Sequence, residues 1–238
     1  MSPTAIVTGA ARGIGAAIAE RLMTDGHDVL LVDLSSAVVE TAERLAAARR
    51  GSAWGLPLDI NDTDAPQVIA GCCEAGRVKV LVNNAGITRD AMVEKMTEDD
   101  FLAVLRVNLG GAYALAMAAI PVLGNDSAIV NVSSKSANGN FGQFNYAVSK
   151  AGLIGLTRSL ALLLAPRVRV NAIAPAFTHT EMTDAIPHDV RAKVVSRIPF
   201  GRGAQPSEIA DVVAWLASPQ ASYVTGQVVA ACGGRSFG

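Results

Sequence analysis

Short runs rich in β-branched residues alternate with longer helical runs along most of this 238-residue chain. The β-rich runs predict seven strands, at 5–8, 29–33, 53–58, 78–83, 128–133, 168–173 and 228–231. The runs between them predict helices at 14–25, 38–50, 65–74, 98–122, 145–164 and 206–217. Because such alternation forms βαβ units, we expect an α/β fold. The prediction is a doubly wound parallel sheet of about seven strands with helices on both faces, in a single domain over residues 1–238.

The composition excludes several classes of function. Half of the residues are hydrophobic, 17% are charged and the net charge is −1, so nothing indicates a nucleic-acid or membrane partner. The three cysteines and three histidines lack metal-ligand spacing, and no metal site is predicted. Strand-like sequence begins at residue 4, which leaves no room for a signal peptide, and the apolar stretch 109–123 is short and interrupted. We expect a cytoplasmic protein, which the low cysteine content also favours.

A glycine-rich turn, TGAARGIG at 8–15, lies between the first predicted strand and the first predicted helix. Glycines at such a turn let the backbone approach a pyrophosphate, which the helix N-terminus attracts electrostatically. The spacing is GxxxGxG rather than the commoner GxGxxG. The turn predicts a dinucleotide site that contains Gly9, Arg12, Gly13, Ile14 and Gly15.

The second predicted strand ends in an acidic residue, Asp33, 18 residues after Gly15. A carboxylate there can accept hydrogen bonds from both hydroxyls of the adenosine ribose. It would repel a 2′-phosphate by on the order of 4 kcal/mol at about 4 Å and an effective dielectric constant near 20. Asp33 therefore favours NAD over NADP, whereas Arg12 could reach a phosphate and argues weakly for NADP. The alternative interpretation of Asp33 is a turn former at the end of a strand.

Small and polar residues follow the third and fourth predicted strands. Asp59 could accept a hydrogen bond from the adenine amino group, and Ile60 follows it. The segment NNAG at 83–86 can line the cofactor and brace the sheet. We add to the predicted cofactor contacts Asp59, Ile60, Asn84, Ala85 and Gly86.

Tyr146 and Lys150 lie four residues apart, just before an apolar run. On a helix this spacing brings their Cβ atoms to roughly 5–6 Å. Lowering a tyrosine pKa from about 10 to about 7 takes roughly 4 kcal/mol, and a nearby cation in a partly dry cleft can supply much of it. The pair is therefore a candidate proton donor and acceptor, although such pairs also occur on solvated helix faces.

Taken in order, these motifs resemble the single-domain short-chain dehydrogenase/reductase family over nearly the whole chain. The resemblance implies a Rossmann-like fold and a nicotinamide cofactor. The region from residue 198 is most similar to the branch that contains bacterial 3-oxoacyl-thioester reductases and many secondary-alcohol dehydrogenases. The motifs that carry the resemblance are TGAARGIG at 8–15, NNAG at 83–86, VNLGG at 107–111, NVSS at 131–134, YxxxK at 146–150, VRVNAIAP at 168–175, the segment 198–218 and YVTGQ at 223–227.

The resemblance implies a catalytic tetrad of Asn108, Ser134, Tyr146 and Lys150. Tyr146 would exchange a proton with the substrate oxygen while the cofactor carries the redox chemistry. Lys150 would lower the pKa of Tyr146 and hold the nicotinamide ribose, and Asn108 would position a water that links Lys150 to solvent. The serine would hydrogen-bond to the carbonyl or alcohol oxygen of the substrate.

The identity of the catalytic serine is open. The strand motif indicates Ser134, whereas counting back from Tyr146 by the usual family spacing indicates Ser133. Neighbouring strand residues face opposite sides of a sheet, so only one of them can serve. We favour Ser134, with a one-residue deletion in loop 135–145, because loops absorb deletions more easily than strands.

A second departure from the family pattern follows the sixth predicted strand, where the usual Pro-Gly is Pro175-Ala176. If that position needs φ > 0, alanine carries a strain. Thr180 matches the threonine that holds the nicotinamide carboxamide, and Pro175 and Thr178 are assigned to the same cofactor site.

Substrate contacts are expected from loop 135–145 and from segment 177–199. Phe141, Phe144 and Phe177 could form an apolar wall, although ordinary core or interface aromatics are an equal alternative. A basic cluster in the second segment could meet an acidic carrier or a coenzyme A phosphate, and a solvated helix face explains it as well. Its members are Arg191, Lys193 and Arg197.

The leading hypothesis is an NAD-dependent oxidoreductase that acts on a small secondary alcohol or its ketone. The alternative is a reductase of 3-oxoacyl thioesters on acyl carrier protein or coenzyme A, which uses NADPH or NADH. A remote alternative is a catalytically silent dinucleotide-binding sensor or scaffold, which has no need of all four tetrad residues. The family and the apolar helices 98–122 and 145–164 favour a homotetramer, or else a homodimer.

Overall fold

The computed structural model describes residues 2–48, 51–184 and 186–237, and its centre is one parallel sheet of seven strands. The strand order is β3-β2-β1-β4-β5-β6-β7, in which the chain returns to the middle of the sheet after β3 and then continues outward on the other side. This order confirms the predicted doubly wound, Rossmann-like α/β fold. The strands are β1 Thr4–Thr8, β2 Asp28–Asp33, β3 Ala53–Pro57, β4 Val78–Asn83, β5 Leu123–Val132, β6 Val168–Pro175 and β7 Val228–Ala231.

Helices cover both faces of the sheet, and each face has its own apolar core. Alternate strand residues point to opposite faces, so Val7 and Leu31 belong to one core whereas Ile6 and Leu30 belong to the other. The helices are α1 Gly13–Thr24, α2 Ala37–Ala48, α3 Ala65–Gly71, α4 Glu98–Leu105, α5 Ala112–Ala119, α6 Phe144–Leu164, α7 Glu181–Asp184, α8 His188–Val195 and α9 Pro206–Ala217. The last two residues of the helix predicted at 38–50 lie outside the described residues.

The main differences from the sequence-based prediction concern one helix, one strand and two short helices. The helix predicted at 98–122 is α4 and α5 joined by a π-helical turn, Arg106–Gly111. Strand β5 begins at Leu123 rather than 128, because a register shift lets the polar stretch after Leu123 join the sheet. The short helices α7 and α8 were not predicted, and α8 buries none of its residues, so it leaves little apolar periodicity to detect.

Two helical stretches reach the length and apolarity of a membrane span. They are Glu98–Ala119, with a mean hydropathy of 1.5, and Phe144–Leu164, with 1.4. Core helices of soluble proteins meet the same criterion. Both stretches contribute to the core that covers one face of the sheet, through Leu115 of α5 and Leu160 of α6. Their apolar character is therefore weak evidence for a span.

Candidate active site

The glycine turn between β1 and α1 is packed so closely that a side chain at Gly9 or Gly15 would have no room. Gly9 has φ of +65° and Gly13 has φ of +58°, a region that glycine enters without strain. A Cβ on Gly15 would lie 2.1 Å from the carbonyl oxygen of Gly9. The Asn84 side chain, just beyond β4, donates hydrogen bonds to the carbonyl oxygens of Thr8 (2.9 Å) and Gly9 (3.0 Å).

The turn has the features of a pyrophosphate cradle. Within the described chain, the N-cap residue of α1, Arg12, makes no side-chain capping bond, and the first turn of α1 carries no acidic residue. The first N–H groups of a helix lack intrahelical partners and attract an anion. Glycines that exclude side chains beside an uncapped helix start therefore fit the diphosphate of a nicotinamide dinucleotide, and Ile14 lies in this first turn.

Asp33, at the end of β2, fastens the glycine turn to its neighbouring strand. One carboxylate oxygen accepts a hydrogen bond from the Ala11 N–H (3.0 Å), and the other accepts from the Ser35 N–H (2.9 Å). The Thr41 hydroxyl donates to the Ala11 carbonyl oxygen at 2.7 Å. Asp33 is thus a turn former, and it also holds a negative charge beside the glycine turn.

Asp59 and Ile60 make local contacts after β3. The Asp59 carboxylate accepts hydrogen bonds from the backbone and side-chain nitrogens of Asn61, both at 2.9 Å. Ile60 packs against Gly111, where an added Cβ would lie 2.8 Å from the Ile60 Cδ1 atom. Their predicted contacts with adenine remain a prediction.

Asn108 lies in the π-helical turn and is buried, with 1% of its surface exposed. Its side chain accepts a hydrogen bond from the Ile87 N–H (2.8 Å) and donates to the Ile87 carbonyl oxygen (3.0 Å). It also donates to the Ser149 hydroxyl at 3.0 Å. Because these bonds occupy the amide group, the side chain holds the turn against the loop after β4. π-helical turns are frequent at functional sites.

Lys150 and Tyr146 occupy one face of α6, as their spacing predicts. Lys150 is 3% exposed, and its ammonium donates a hydrogen bond to the Val132 carbonyl oxygen at 2.8 Å. The Lys150 Nζ atom lies 5.5 Å from the centre of the Tyr146 ring. Gly86 leaves space beside this pair, since a Cβ there would lie 3.4 Å from Nζ. Ala85 lies against the glycine turn, so the NNAG segment links Lys150 to that turn.

The two serines at the end of β5 face different surroundings. The Ser134 side chain lies close enough to the Tyr146 phenol to lower its pKa, and the Ser134 hydroxyl accepts a hydrogen bond from the Ser136 N–H at 3.1 Å. Ser133 is buried, and its hydroxyl donates to the Lys150 carbonyl oxygen at 2.8 Å. The geometry therefore brings the Ser134 hydroxyl, and not that of Ser133, to the phenol.

Burial is the largest influence on the pKa values of Tyr146 and Lys150. It raises the pKa of the Tyr146 phenol, an effect that the bond to Ser134 opposes and the Asp90 carboxylate reinforces. It lowers the pKa of Lys150 to about 8. The expected lowering of the Tyr146 pKa by Lys150 is therefore not found, because the ammonium donates to Val132 and lies over the ring instead of meeting the phenol oxygen.

The segment after β6 runs beside the glycine turn without strain. Ala176 does not have positive φ, since Asp126 is the one non-glycine residue with positive φ (57°) among those described. The Pro175-Ala176 substitution therefore requires no left-handed backbone. Pro175 ends β6, Thr178 is buried, and the Thr180 methyl group lies near Gly13. Glu181 accepts a hydrogen bond from Arg12 at 2.6 Å.

The predicted aromatic wall is not formed as expected. Phe141 is 86% exposed, and Phe144 stacks on Phe101 of α4 with ring centres 5.7 Å apart. Phe177 is buried and packs edge-on against His179, where it lines a separate cavity with Ile198. The three rings point into different surroundings because they belong to a loop, a helix start and a strand end. The basic cluster lies on α8 and just after it, where α8 buries no residue.

Sequence reasoning missed a group of polar residues that join the loop after β4 to the start of α6. The Gln143 amide donates to the Asp90 carboxylate at 2.8 Å. The Asn145 amide donates to the Arg89 carbonyl oxygen at 2.8 Å. Polar side chains just before a helix were the available signal, but the sequence does not reveal their partners.

Comparisons with known proteins cover nearly the whole chain. A family model described as enoyl-(acyl carrier protein) reductase matches residues 9–236. The 3-oxoacyl-(acyl-carrier-protein) reductase of Thermotoga maritima is 43% identical over 96% of both chains. The enzyme of the same name from Vibrio harveyi is 40% identical over 97% of this chain and 96% of its own.

Solved structures are also similar to this chain over nearly its whole length. A short-chain dehydrogenase/reductase from Brucella melitensis, named glucose/ribitol dehydrogenase, has a TM-score of 0.91 and 32% identity, covering 98% of this chain and 96% of its own. A candidate NAD(P)-dependent gluconate 5-dehydrogenase from Beutenbergia cavernae, with bound NADP, has a TM-score of 0.90 and 38% identity, covering 99% and 97%. The chain belongs to the short-chain dehydrogenase/reductase family of oxidoreductases.

Proposed function

We propose that the protein transfers a hydride between a nicotinamide dinucleotide and the carbonyl carbon of a ketone, with Tyr146 as the general acid or base. The observation that carries this proposal is the buried Lys150 ammonium over the Tyr146 ring, with the Ser134 side chain close to the phenol. When bound, the cofactor would supply or accept the hydride. The chain itself would supply the proton and hold the substrate oxygen.

Each tetrad residue then has a defined role. In reduction, Tyr146 gives its proton to the substrate oxygen as the hydride reaches carbon, so that a carbonyl becomes an alcohol. Ser134 donates a hydrogen bond to the same oxygen. Lys150 would hold the nicotinamide ribose and would be the source of the proton that restores the phenol. Asn108 holds the π-helical turn at which the proton path would open to solvent.

The protonation states favour the reductive direction near neutral pH. A general acid must carry its proton before the reaction, and burial raises the pKa of Tyr146. Lys150, with a pKa of about 8, can deliver a proton readily. The reverse reaction needs the phenolate, so we expect alcohol oxidation to require a higher pH than ketone reduction.

Two substrate classes have support. The relatives at 43% and 40% identity are 3-oxoacyl-thioester reductases, which makes a 3-oxoacyl thioester the first candidate. The second candidate is a free secondary alcohol or its ketone, the leading hypothesis from sequence. Structural neighbours named for polyol and sugar-acid oxidation support it.

For the cofactor we propose NAD. The Asp33 carboxylate is held at the end of β2 by two backbone N–H groups, so its charge cannot easily move away from a 2′-phosphate. Arg12, the residue that could attract that phosphate, donates to Glu181. The NADP bound by the Beutenbergia cavernae protein is the argument for the other cofactor.

We further propose a homotetramer or homodimer in the cytoplasm. The outer faces of α5 and α6 carry exposed apolar side chains, including Tyr113 (54% exposed), Met117 (40%) and Leu162 (85%). Large apolar side chains exposed on neighbouring helices are typical of surfaces that contact another protein. Cys72, Cys73 and Cys232 are free thiols, in keeping with a reducing compartment. Light scattering of the purified protein tests the subunit number.

The deciding experiment follows reduced-cofactor absorbance with NADH and NADPH in parallel. The substrates are a 3-oxoacyl thioester, an enoyl thioester of the same chain length, and free ketones and alcohols that include polyols. We expect NADH-linked reduction of the 3-oxoacyl thioester or of a free ketone. Activity confined to the enoyl thioester would overturn carbonyl chemistry, and strict NADPH dependence would overturn the role given to Asp33.

A further inference from the structure

Asn145, the residue before Tyr146, is completely buried, with 0% of its surface exposed. Its Oδ1 atom accepts a hydrogen bond from the Tyr146 backbone N–H at 2.7 Å. Its Nδ2 atom donates to the Arg89 carbonyl oxygen at 2.8 Å and to the Asp100 carbonyl oxygen at 3.4 Å. One side chain therefore joins the start of α6 to the loop after β4 and to α4.

One of these bonds satisfies a group that the helix itself leaves unpaired. The first N–H groups of a helix have no partner within it, and the Tyr146 N–H is one of them. A buried polar group that loses its partner destabilises the protein by about 1–3 kcal/mol. The Asn145 amide thus determines where the backbone of Tyr146 lies relative to its neighbours.

The loop that Asn145 holds is also the loop that holds Asn108. The Ile87 backbone exchanges two hydrogen bonds with the Asn108 side chain, and Arg89, two residues later, accepts from Asn145. Residues 87–89 therefore connect the turn that carries Asn108 to the turn that carries Tyr146. This connection runs through buried side chains, whereas the nearby Gln143–Asp90 bond is exposed.

We propose that Asn145 is a positioning residue for the proton transfer by Tyr146. By fastening the first turn of α6 to residues 87–89, it sets the distance of the phenol from Ser134 and from the nicotinamide side of the cofactor cradle. The inference rests on the proposed function, since it requires Tyr146 to be the general acid. A misplacement of about 1 Å can reduce a rate about 100-fold.

The test compares variants of Asn145 with a control at the same junction. Asn145→Ala removes every bond, whereas Asn145→Asp keeps an oxygen acceptor for the Tyr146 N–H and loses the donor to Arg89. Phe101→Ala removes the ring that stacks on Phe144 and so loosens the junction of α4 and α6 without touching these bonds. All four proteins are compared by thermal unfolding and by steady-state kinetics on the best substrate.

We expect Asn145→Ala to lower kcat about 100-fold and Asn145→Asp about tenfold, with KM and cofactor affinity within threefold of wild type. Phe101→Ala should lower the melting temperature and leave kcat within threefold. If the Asn145 variants lose only thermal stability, as the control does, Asn145 is a structural residue and the proposal is wrong. Should Asn145→Ala not fold, Asn145→Asp carries the comparison.

A second readout does not depend on activity. Absorbance titration of wild type minus Tyr146→Phe isolates the Tyr146 phenol, whose charged neighbours are Lys150 of α6 and Asp90 of the loop after β4. Asn145→Ala should move its pKa towards that of a free tyrosine, the carboxylate of Asn145→Asp should raise it further, and Phe101→Ala should leave it unchanged. If the pKa of the Tyr146 phenol were unchanged in both Asn145 variants, the proposal would be wrong. A wild-type protein inactive on every substrate would overturn the proposed function alone.

Discussion

The dinucleotide end and the substrate end of the cleft are held together in different ways. The glycine turn is fixed by close backbone packing, such that a Cβ on Gly15 would lie 2.1 Å from a carbonyl oxygen. The substrate end is fixed by side-chain hydrogen bonds, as between Gln143 and Asp90 and between Asn145 and Arg89. The first arrangement requires one residue type, whereas many different polar pairs can build the second.

The comparison explains how one scaffold can keep its cofactor while its substrate changes. The NNAG segment after β4 belongs to both ends, since Asn84 bonds to the glycine turn and Gly86 packs near Lys150. Beyond it, the chain enters the loop that Asn145 holds. We expect substitutions past this point to leave the cradle intact. The variants below test this separation.

The largest expected effect separates chemistry from cofactor binding. Tyr146→Phe removes the hydroxyl that we propose exchanges the proton, and it keeps the ring. We expect kcat to fall about 1,000-fold, within the range for loss of a general acid. Cofactor affinity, measured by quenching of protein fluorescence, should stay within threefold. A variant that retains more than a tenth of wild-type kcat would remove Tyr146 from the reaction.

The second variant disrupts the glycine turn that forms the cofactor cradle and leaves Tyr146 and Lys150 on α6 unchanged. Gly15→Ala forces a methyl group against the Gly9 carbonyl oxygen and the Asn84 side chain. Overpacking of this kind costs about 1–3 kcal/mol, which would correspond to about a 5- to 150-fold loss of cofactor affinity if it fell wholly on cofactor binding. Isothermal titration with the cofactor measures it. Gly155→Ala, in open space on α6, is the matched control.

The sequence predicted most of the features that depend on the hydrophobic periodicity of strands and helices or on positions too crowded for a side chain. All seven strands were anticipated, and the glycine turn and the Tyr146–Lys150 face were predicted residue by residue. The choice of Ser134 rested on loops absorbing deletions, and the structure brings its hydroxyl to the phenol. These features depend on backbone geometry that only certain residue types allow.

The remaining features depend on partners that are distant in sequence. The π-helical turn at Asn108 arises where the helix meets the Ile87 backbone, and a local pattern cannot predict it. Phe144 and Phe177 pack on Phe101 and His179 because of how loops and helices meet. The partner of Asn145 lies 56 residues away. No local rule connects such pairs.

A smaller effect tests the charge at the dinucleotide end. Asp33→Asn keeps an oxygen that can accept from Ala11 and removes the negative charge. Because Asp33 is partly exposed, we expect a change of about tenfold in the ratio of kcat/KM for NADH to that for NADPH, in favour of NADPH. Parallel assays with the two cofactors measure it. An unchanged ratio would leave Asp33 as a turn former only.

The smallest effect concerns stability and belongs to the catalytic end. Burial lowers the pKa of Lys150 to about 8 from an ordinary value of 10.5, so between these two values the unfolded chain binds more protons than the native protein. Stability therefore rises with pH in this window, by about 1 kcal/mol between pH 7 and 9. Denaturant unfolding of wild type and Lys150→Met measures the effect as a difference between the two proteins. The raised pKa of Cys73, about 11, acts in the opposite direction, but it does so in both proteins and therefore cancels. The packing of the glycine turn does not titrate, so Gly15→Ala should lower stability by the same amount at both pH values. If Lys150→Met showed the same rise as wild type, the burial of the ammonium would not be its cause.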